Sequence, residues 1–162
     1  MNDCTIHFDG GVRGNVAVDH PLFAQSRGAW AWVAHGKGGM RIRQDAGAIS
    51  PATSMMAELH GALHALAWAA SARYEHVVLC GDSRFVIEWL RGRNRTSQAP
   101  HLARLQYQIA QFIAHEVVPR SGNRCAIRLT QDPGRVIVTP RYVPNSKNRY
   151  ADSLCTQALR AA

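Results

Sequence analysis

The stretch HVVLCGD, His76 to Asp82, constrains the fold most. It is a short apolar run without polar alternation, which suits a strand buried on both faces of a parallel sheet. Helical periodicity flanks it on both sides. Upstream, Met55, Leu59, Ala62, Leu63 and Leu66 fall on one stripe, with Thr53 or Ser54 as the N-cap. Downstream, Ser83 to Leu90 reads as a helix stopped by Gly92. A buried strand reached and left through helices implies crossover connections and a sheet covered by helices.

The remaining elements extend that sheet. Cys4 to Asp9 reads as a strand, Gly28 to His35 as a second, and Met40 to Ala46 as a third returning beside it after the glycine-rich turn Gly36 to Gly39. These three form an antiparallel meander. Helical spacing of Leu102, Leu105, Ile109, Phe112 and Ile113 predicts a helix over Leu102 to Val118. Strands are expected over Cys125 to Thr130 and Arg135 to Val143, around a turn at Asp132 to Gly134. Asn148 to Arg160 closes the chain as an amphipathic helix. A length of 162 residues, with no repeat or linker, fits one α/β domain spanning 1–162.

The formal charge is +8, and of the 19 basic residues only Lys37 and Lys147 are lysines. An arginine-rich surface attracts polyanions, and its planar fork suits phosphate. Solubility alone also accounts for such a balance. Cys4, Cys80, Cys125 and Cys155 form no CxxC pair, which excludes ordinary zinc spacing and leaves them as small buried hydrophobes. No apolar run reaches membrane-spanning length, and the N-terminus lacks a signal-peptide pattern, so a cytoplasmic protein is expected.

Four acids stand at element ends: Asp9 after strand one, Glu58 early in the first helix, Asp82 after the buried strand and Asp152 early in the last helix. Taken singly, each is ordinarily a turn former or a helix cap; Asp82 before Ser83 could cap the second helix. Taken together they suggest a site. If strands one and four are parallel neighbours, Asp9 and Asp82 emerge side by side, and both helices can bring their acids to that edge. Carboxylates gathered in this way repel one another unless a cation holds them. Hard divalent ions take oxygen ligands, and two of them can stabilise both oxygens of a phosphoryl displacement. Gly10, Gly11 and Gly14, just past Asp9, would let a sugar–phosphate backbone approach closely.

The blocks FDGGVRGN, TSMMAELHGALHAL, CGDSRFVIEWL and YVPNSKNRYADSL, in that order along nearly the whole chain, resemble type 1 ribonuclease H. The last block looks most like the short, reverse-transcriptase-like branch. The resemblance implies a ribonuclease H-like, five-stranded mixed sheet, three antiparallel strands then parallel ones, with helices on both faces. It implies hydrolysis of the RNA strand of RNA–DNA hybrids by two Mg²⁺ ions, with Mn²⁺ as a substitute, leaving 3′-hydroxyl and 5′-phosphate ends. Carried over, Asp9 would bridge both ions, Glu58 and Asp82 would complete the site of the water-activating ion, and Asp152 would hold the other. Gly10, Gly11, Gly14 and Asn15 match the loop that meets RNA 2′-hydroxyls. Thr53 and Ser54 match a phosphate-contacting turn, and Asn148 matches an asparagine near the hybrid. The implied partner is the hybrid, with no membrane and no obligate protein partner.

The chain departs from this pattern in several places. The loop Pro144 to Lys147 lacks the mobile histidine common in the family, Met55 replaces a polar residue, and the loop Val16 to Arg27 is long. Cys125 to Arg135 reads as an added strand or hairpin, and the arginines of Arg91 to Arg95 are the best remaining substrate contacts. His7, His60 and His64 read as packed or surface histidines rather than ligands. A DNA nuclease or junction resolvase of the same superfamily, or a non-catalytic nucleic-acid-binding module, remains an alternative.

Overall fold

The computed structural model describes residues 3–119, 125–129 and 134–162. The chain runs through β1 (Asp3–Arg13), β2 (Arg27–His35), β3 (Arg41–Ile49), α1 (Ser54–Ser71), β4 (His76–Gly81), α2 (Arg84–Leu90), α3 (Pro100–Ala110), β5 (His115–Pro119), β6 (Cys125–Leu129), β7 (Ile137–Tyr142) and α4 (Arg149–Ala161). Five strands form one sheet in the order β3-β2-β1-β4-β7. β1 pairs antiparallel with β2 and parallel with β4, and β4 pairs parallel with β7. This is the mixed sheet expected from the buried run at His76.

α1 covers one face. Its buried stripe of Ala57, Leu59, Ala62, Ala65, Leu66 and Ala69 packs on Ile6, Phe8, Val77 and Leu79, and Leu102, Leu105 and Ile109 of α3 complete that core. α4 lies on the opposite face against β1 and β2, where Cys155 meets Ala29 and Ala31. Thr53 caps α1, its hydroxyl accepting from the Met56 N–H at 3.2 Å. Gly92, with a φ of 71°, ends the turn after α2, where the left-handed backbone favours glycine.

Four expectations change. First, β1 does not stop at Asp9 but continues to Arg13, with Asp9 opposite Ala31 of β2. Gly10 continues the strand because helix α1, not a turn, occupies the space where its side chain would stand, and Gly11 follows it in the ladder. Second, the helix expected over Leu102 to Val118 ends at Ala110. Ile113 bridges to Val136, and the β-branched pair Val117 and Val118 falls in β5. Third, β3 begins at Arg41 and runs to Ile49, beyond Ala46. Fourth, β6 pairs with β5 as a separate two-stranded sheet and not across a turn with β7. The expected turn residues Asp132 and Pro133, and Thr130, lie outside the described residues. Among the described residues, no helix is long and apolar enough to cross a membrane.

Candidate active site

The parallel pairing of β1 with β4 ends at His7 and Cys80. Two residues further along each strand stand Asp9 and Asp82, the one still held by β2 and the other just past the end of β4. Asp9 is therefore fixed by a strand, and β4 stops in time to leave its carboxylate a neighbour. Asp82 does not cap α2; the Ser83 hydroxyl takes that place, accepting from the Val86 N–H.

Glu58 arrives from above on the second turn of α1. Its height is set by two glycines. A Cβ on Gly10 would lie 2.2 Å from the Ala57 carbonyl carbon and 2.2 Å from the Glu58 nitrogen. A Cβ on Gly61 would lie 2.6 Å from the Asp9 carbonyl oxygen. Helix and strand thus meet backbone to backbone. Gly11 faces the other way, where a Cβ would meet Cys155 Sγ of α4 at 3.4 Å. Helix packing thus forbids a side chain at Gly10, whereas at Gly11 a Cβ would only touch α4 in ordinary contact. Only Gly14, at a φ of 72°, has the left-handed backbone of a turn glycine here.

Carboxylate oxygens of Asp9, Glu58 and Asp82 lie within 4.8 Å of one another. Burial pushes all three upward, and a neighbouring carboxylate adds to each. Burial, then the Asp82 charge, raise Asp9 to about 7, against a partial offset from the Gly10 N–H. Burial, then Asp9 and Asp82, raise Glu58 well above the usual carboxylate range. Burial raises Asp82, and the Asp152 charge adds to it. Asp152, in the first turn of α4, stands outside the tight trio but acts on both Asp9 and Asp82. Glu58 Oε2 and Asp82 Oδ1 are buried with no hydrogen-bond partner. An all-oxygen donor set with orphaned, buried lone pairs fits a hard divalent cation such as Mg²⁺.

The other expected residues divide. Asn15 and Ser54 come together, the Ser54 N–H donating to Asn15 Oδ1 at 3.2 Å, with capping Thr53 beside them. Asn148 is 1% exposed, and its Nδ2 donates to the Phe8 carbonyl at 2.9 Å. Two arginines of the basic loop have partners within the chain: Arg91 and Arg93 pair with Glu88 at 2.8 and 3.1 Å, and Arg91 Nε also donates to the Pro140 carbonyl. Arg84 lies over the Tyr142 ring at 4.6 Å. His64 stacks on Trp30 with ring centroids 3.8 Å apart, a packing role. Sequence reasoning missed a cavity of about 390 Å³ beside Asn148, lined by His7, His35, Lys147 and Tyr150. Its walls come from three separate segments, so no local spacing announces it.

The family model described as reverse transcriptase-like matches residues 22–132. No curated protein matches the chain. Among solved structures, ribonuclease H1 from the halophilic archaeon Halobacterium salinarum NRC-1 superposes with a TM-score of 0.73 at 25% identity, covering 99% of each chain. The N-terminal ribonuclease H domain of rv2228c from Mycobacterium tuberculosis gives 0.74 at 23% identity, covering 99% of this chain and 96% of that one. LC11 ribonuclease H1, solved in complex with an RNA/DNA hybrid, gives 0.72 at 18% identity over 98% and 97%. Sheet order and the matched span agree: the chain belongs to the reverse transcriptase-like family, with the fold of type 1 ribonuclease H.

Proposed function

We propose that this protein is a metal-dependent ribonuclease H that hydrolyses the RNA strand of RNA–DNA hybrids in the cytoplasm, as one domain spanning 1–162. The observation that carries this reading is the trio of buried Asp9 with half-buried Glu58 and Asp82, whose oxygens lie within 4.8 Å of one another. Three acids held this close need positive charge between them. The hybrid bound by LC11 ribonuclease H1 and the likeness to the archaeal enzyme support the choice of substrate. A formal charge of +8 suits a polyanionic partner.

Asp9, Glu58, Asp82 and Asp152 would hold two Mg²⁺ ions, and Mn²⁺ would replace them. When bound, such ions supply Lewis-acid stabilisation of the attacking and leaving oxygens, giving 3′-hydroxyl and 5′-phosphate ends. The chain's own part is to place the ligands. Asp9 sits on a strand paired on its β2 side, so its carboxylate is the fixed reference of the site. Gly10 and Gly61 hold Glu58 close to it. Burial at 7% exposure around Asp9 excludes competing water and strengthens every charge interaction there. Past β1, the exposed segment Gly14–Asn15 and the start of α1 at Thr53 and Ser54 form one contact surface for the substrate backbone. Asn15 lends its carbonyl oxygen to Ser54, which leaves its NH₂ donors for an RNA 2′-hydroxyl.

The test is a substrate panel of hybrid, duplex DNA, duplex RNA and single strands, with Mg²⁺ and with chelator. Hybrid alone should be nicked, only in Mg²⁺, and Asp9→Asn should remove the activity with the circular dichroism spectrum unchanged. Cleavage that survives chelation or Asp9→Asn removes the mechanism. Cleavage of duplex DNA in preference to hybrid replaces the substrate.

A further inference from the structure

We infer that Asn148 is a positioning residue that ties the carboxylate-bearing segments together, and not a contact for the substrate. The inference rests on the metal-centred reading above and extends it to a residue outside the ligand set.

Four observations converge on this side chain. Asn148 is 1% exposed, so its amide does not reach an approaching nucleic acid. Its Nδ2 donates at 2.9 Å to the carbonyl of Phe8, the residue immediately before Asp9. The same side chain is near enough to the Asp82 carboxylate to draw its pKa down against the upward push of burial. Its backbone carbonyl accepts from the Asp152 N–H at 3.0 Å, in the first turn of α4. One residue therefore joins the chain next to the first acid to the backbone of the fourth, beside the third.

The local chemistry explains why an amide stands there. Asn148 occupies the N-cap position of α4, where asparagine ordinarily accepts a hydrogen bond from the helix. It makes no such bond. Its φ of −106° and ψ of 19° also differ from the extended backbone at Thr53 and Ser83, which do cap their helices. The side chain has been turned away from its own helix toward the sheet. An NH₂ group has two donors, one given to the Phe8 carbonyl and a second left to face the nearby Asp82. A carboxylate would offer no donor to either, and a hydroxyl has only one. Oδ1 is left buried without a partner, a cost a purely structural cap would not carry. Groups that orient metal ligands in this way typically alter metal affinity about 10- to 100-fold when removed.

The experiment measures Mg²⁺ binding by calorimetry, in the absence of substrate, for wild type, Asn148→Ala, Asn148→Leu and Ala151→Gly. Ala151 is fully buried in the same turn of α4, so its replacement loosens the helix without touching the amide contacts. We expect Mg²⁺ affinity to fall at least about 10-fold in both Asn148 variants. Ala151→Gly should melt at lower temperature with its Mg²⁺ affinity unchanged. In wild-type protein, the two side-chain amide protons of Asn148 should exchange slowly in NMR spectra and shift when Mg²⁺ is added. Unchanged affinity in folded Asn148 variants overturns the inference. So does an equal loss of affinity in Ala151→Gly, or freely exchanging Asn148 amide protons, a result that needs no variant to fold. A wild-type protein that binds no Mg²⁺ sinks the metal reading itself, and is thereby distinguished from failure of the role given to Asn148.

Discussion

Two groups of charge lie near opposite ends of α2. At its C-terminal end, Glu88 is flanked by Arg91 and Arg93, and these partners draw its pKa below the ordinary value. Just before its N-terminal end, Asp82 joins Asp9 and Glu58, and all three are pushed above theirs. The first group is partly exposed and neutralised by its own chain. The second sits around the buried Asp9, and the charges that raise it are all carboxylates, the trio's own and Asp152. A chain with 19 basic residues could have supplied an arginine to the trio. It supplied two to a surface glutamate instead. What separates a solvated ion pair from a binding site is the balance left unsettled by the protein.

That contrast can be broken by the same chemical change made on each side. Glu58→Gln should lower hybrid cleavage on the order of 10³-fold, because it removes a ligand from the reacting centre. A rate that stays near wild type would put Glu58 outside the chemistry. Next in size are the glycines that hold the trio together. Gly10→Ala places a methyl group against the backbone of Ala57 and Glu58, and should cost about 1–3 kcal/mol in urea unfolding. Gly61→Ala sharpens the point. Alanine favours a helix over glycine by about 0.8–1 kcal/mol, yet the close approach to the Asp9 carbonyl should cancel or outweigh that gain. A clear stabilisation would show that α1 can shift without harm.

The pH response is smaller and has a definite sign. Asp9 has a folded pKa of about 7, raised above its unfolded value near 4. The folded state therefore binds the proton more tightly. The stability this confers is complete below about pH 4 and is lost as pH rises toward and through about 7. Metal-free protein should melt at progressively lower temperature across that window, and Asp9→Asn should flatten the slope. Added Mg²⁺ should raise the melting temperature more at pH 8 than at pH 5.5. A flat metal-free profile would contradict the burial of the trio. The smallest effect is expected at Glu88→Gln, with cleavage unchanged to within about twofold, since an exposed pair contributes little. A large loss there would move the arginine loop back into the substrate site.

The acids were legible in the sequence because Glu58, Asp82 and Asp152 stand near the start or end of an element and Asp9 follows an apolar strand run, and the apolar run Val77 to Cys80 already required a parallel neighbour for the strand before Asp82. Three things were less visible. The glycines after Asp9 carry the signature of a turn, and only the close approach of α1 reveals why Gly10 stands inside a strand that goes on to Arg13. The periodicity of Leu102 to Ile113 runs past the true end of α3, since apolar spacing does not record whether Ile113 faces a helix or bridges to Val136. Arginines in a polar loop look available to a ligand until their partner, Glu88, three residues before Arg91, is seen to claim two of them. In each case the missing information was a contact made at a distance or around a bend, which local spacing does not encode.

The placement of α4 bears on how such a molecule is made. Every strand of the five-stranded sheet precedes Tyr142, whereas Asn148 and Asp152 follow it. A growing polypeptide emerging from the ribosome can thus assemble the sheet while its fourth acid and its amide tie are still being synthesised. Completion of the site then waits for α4 to dock, because Asp152 reaches Asp9 and Asp82 only on that helix.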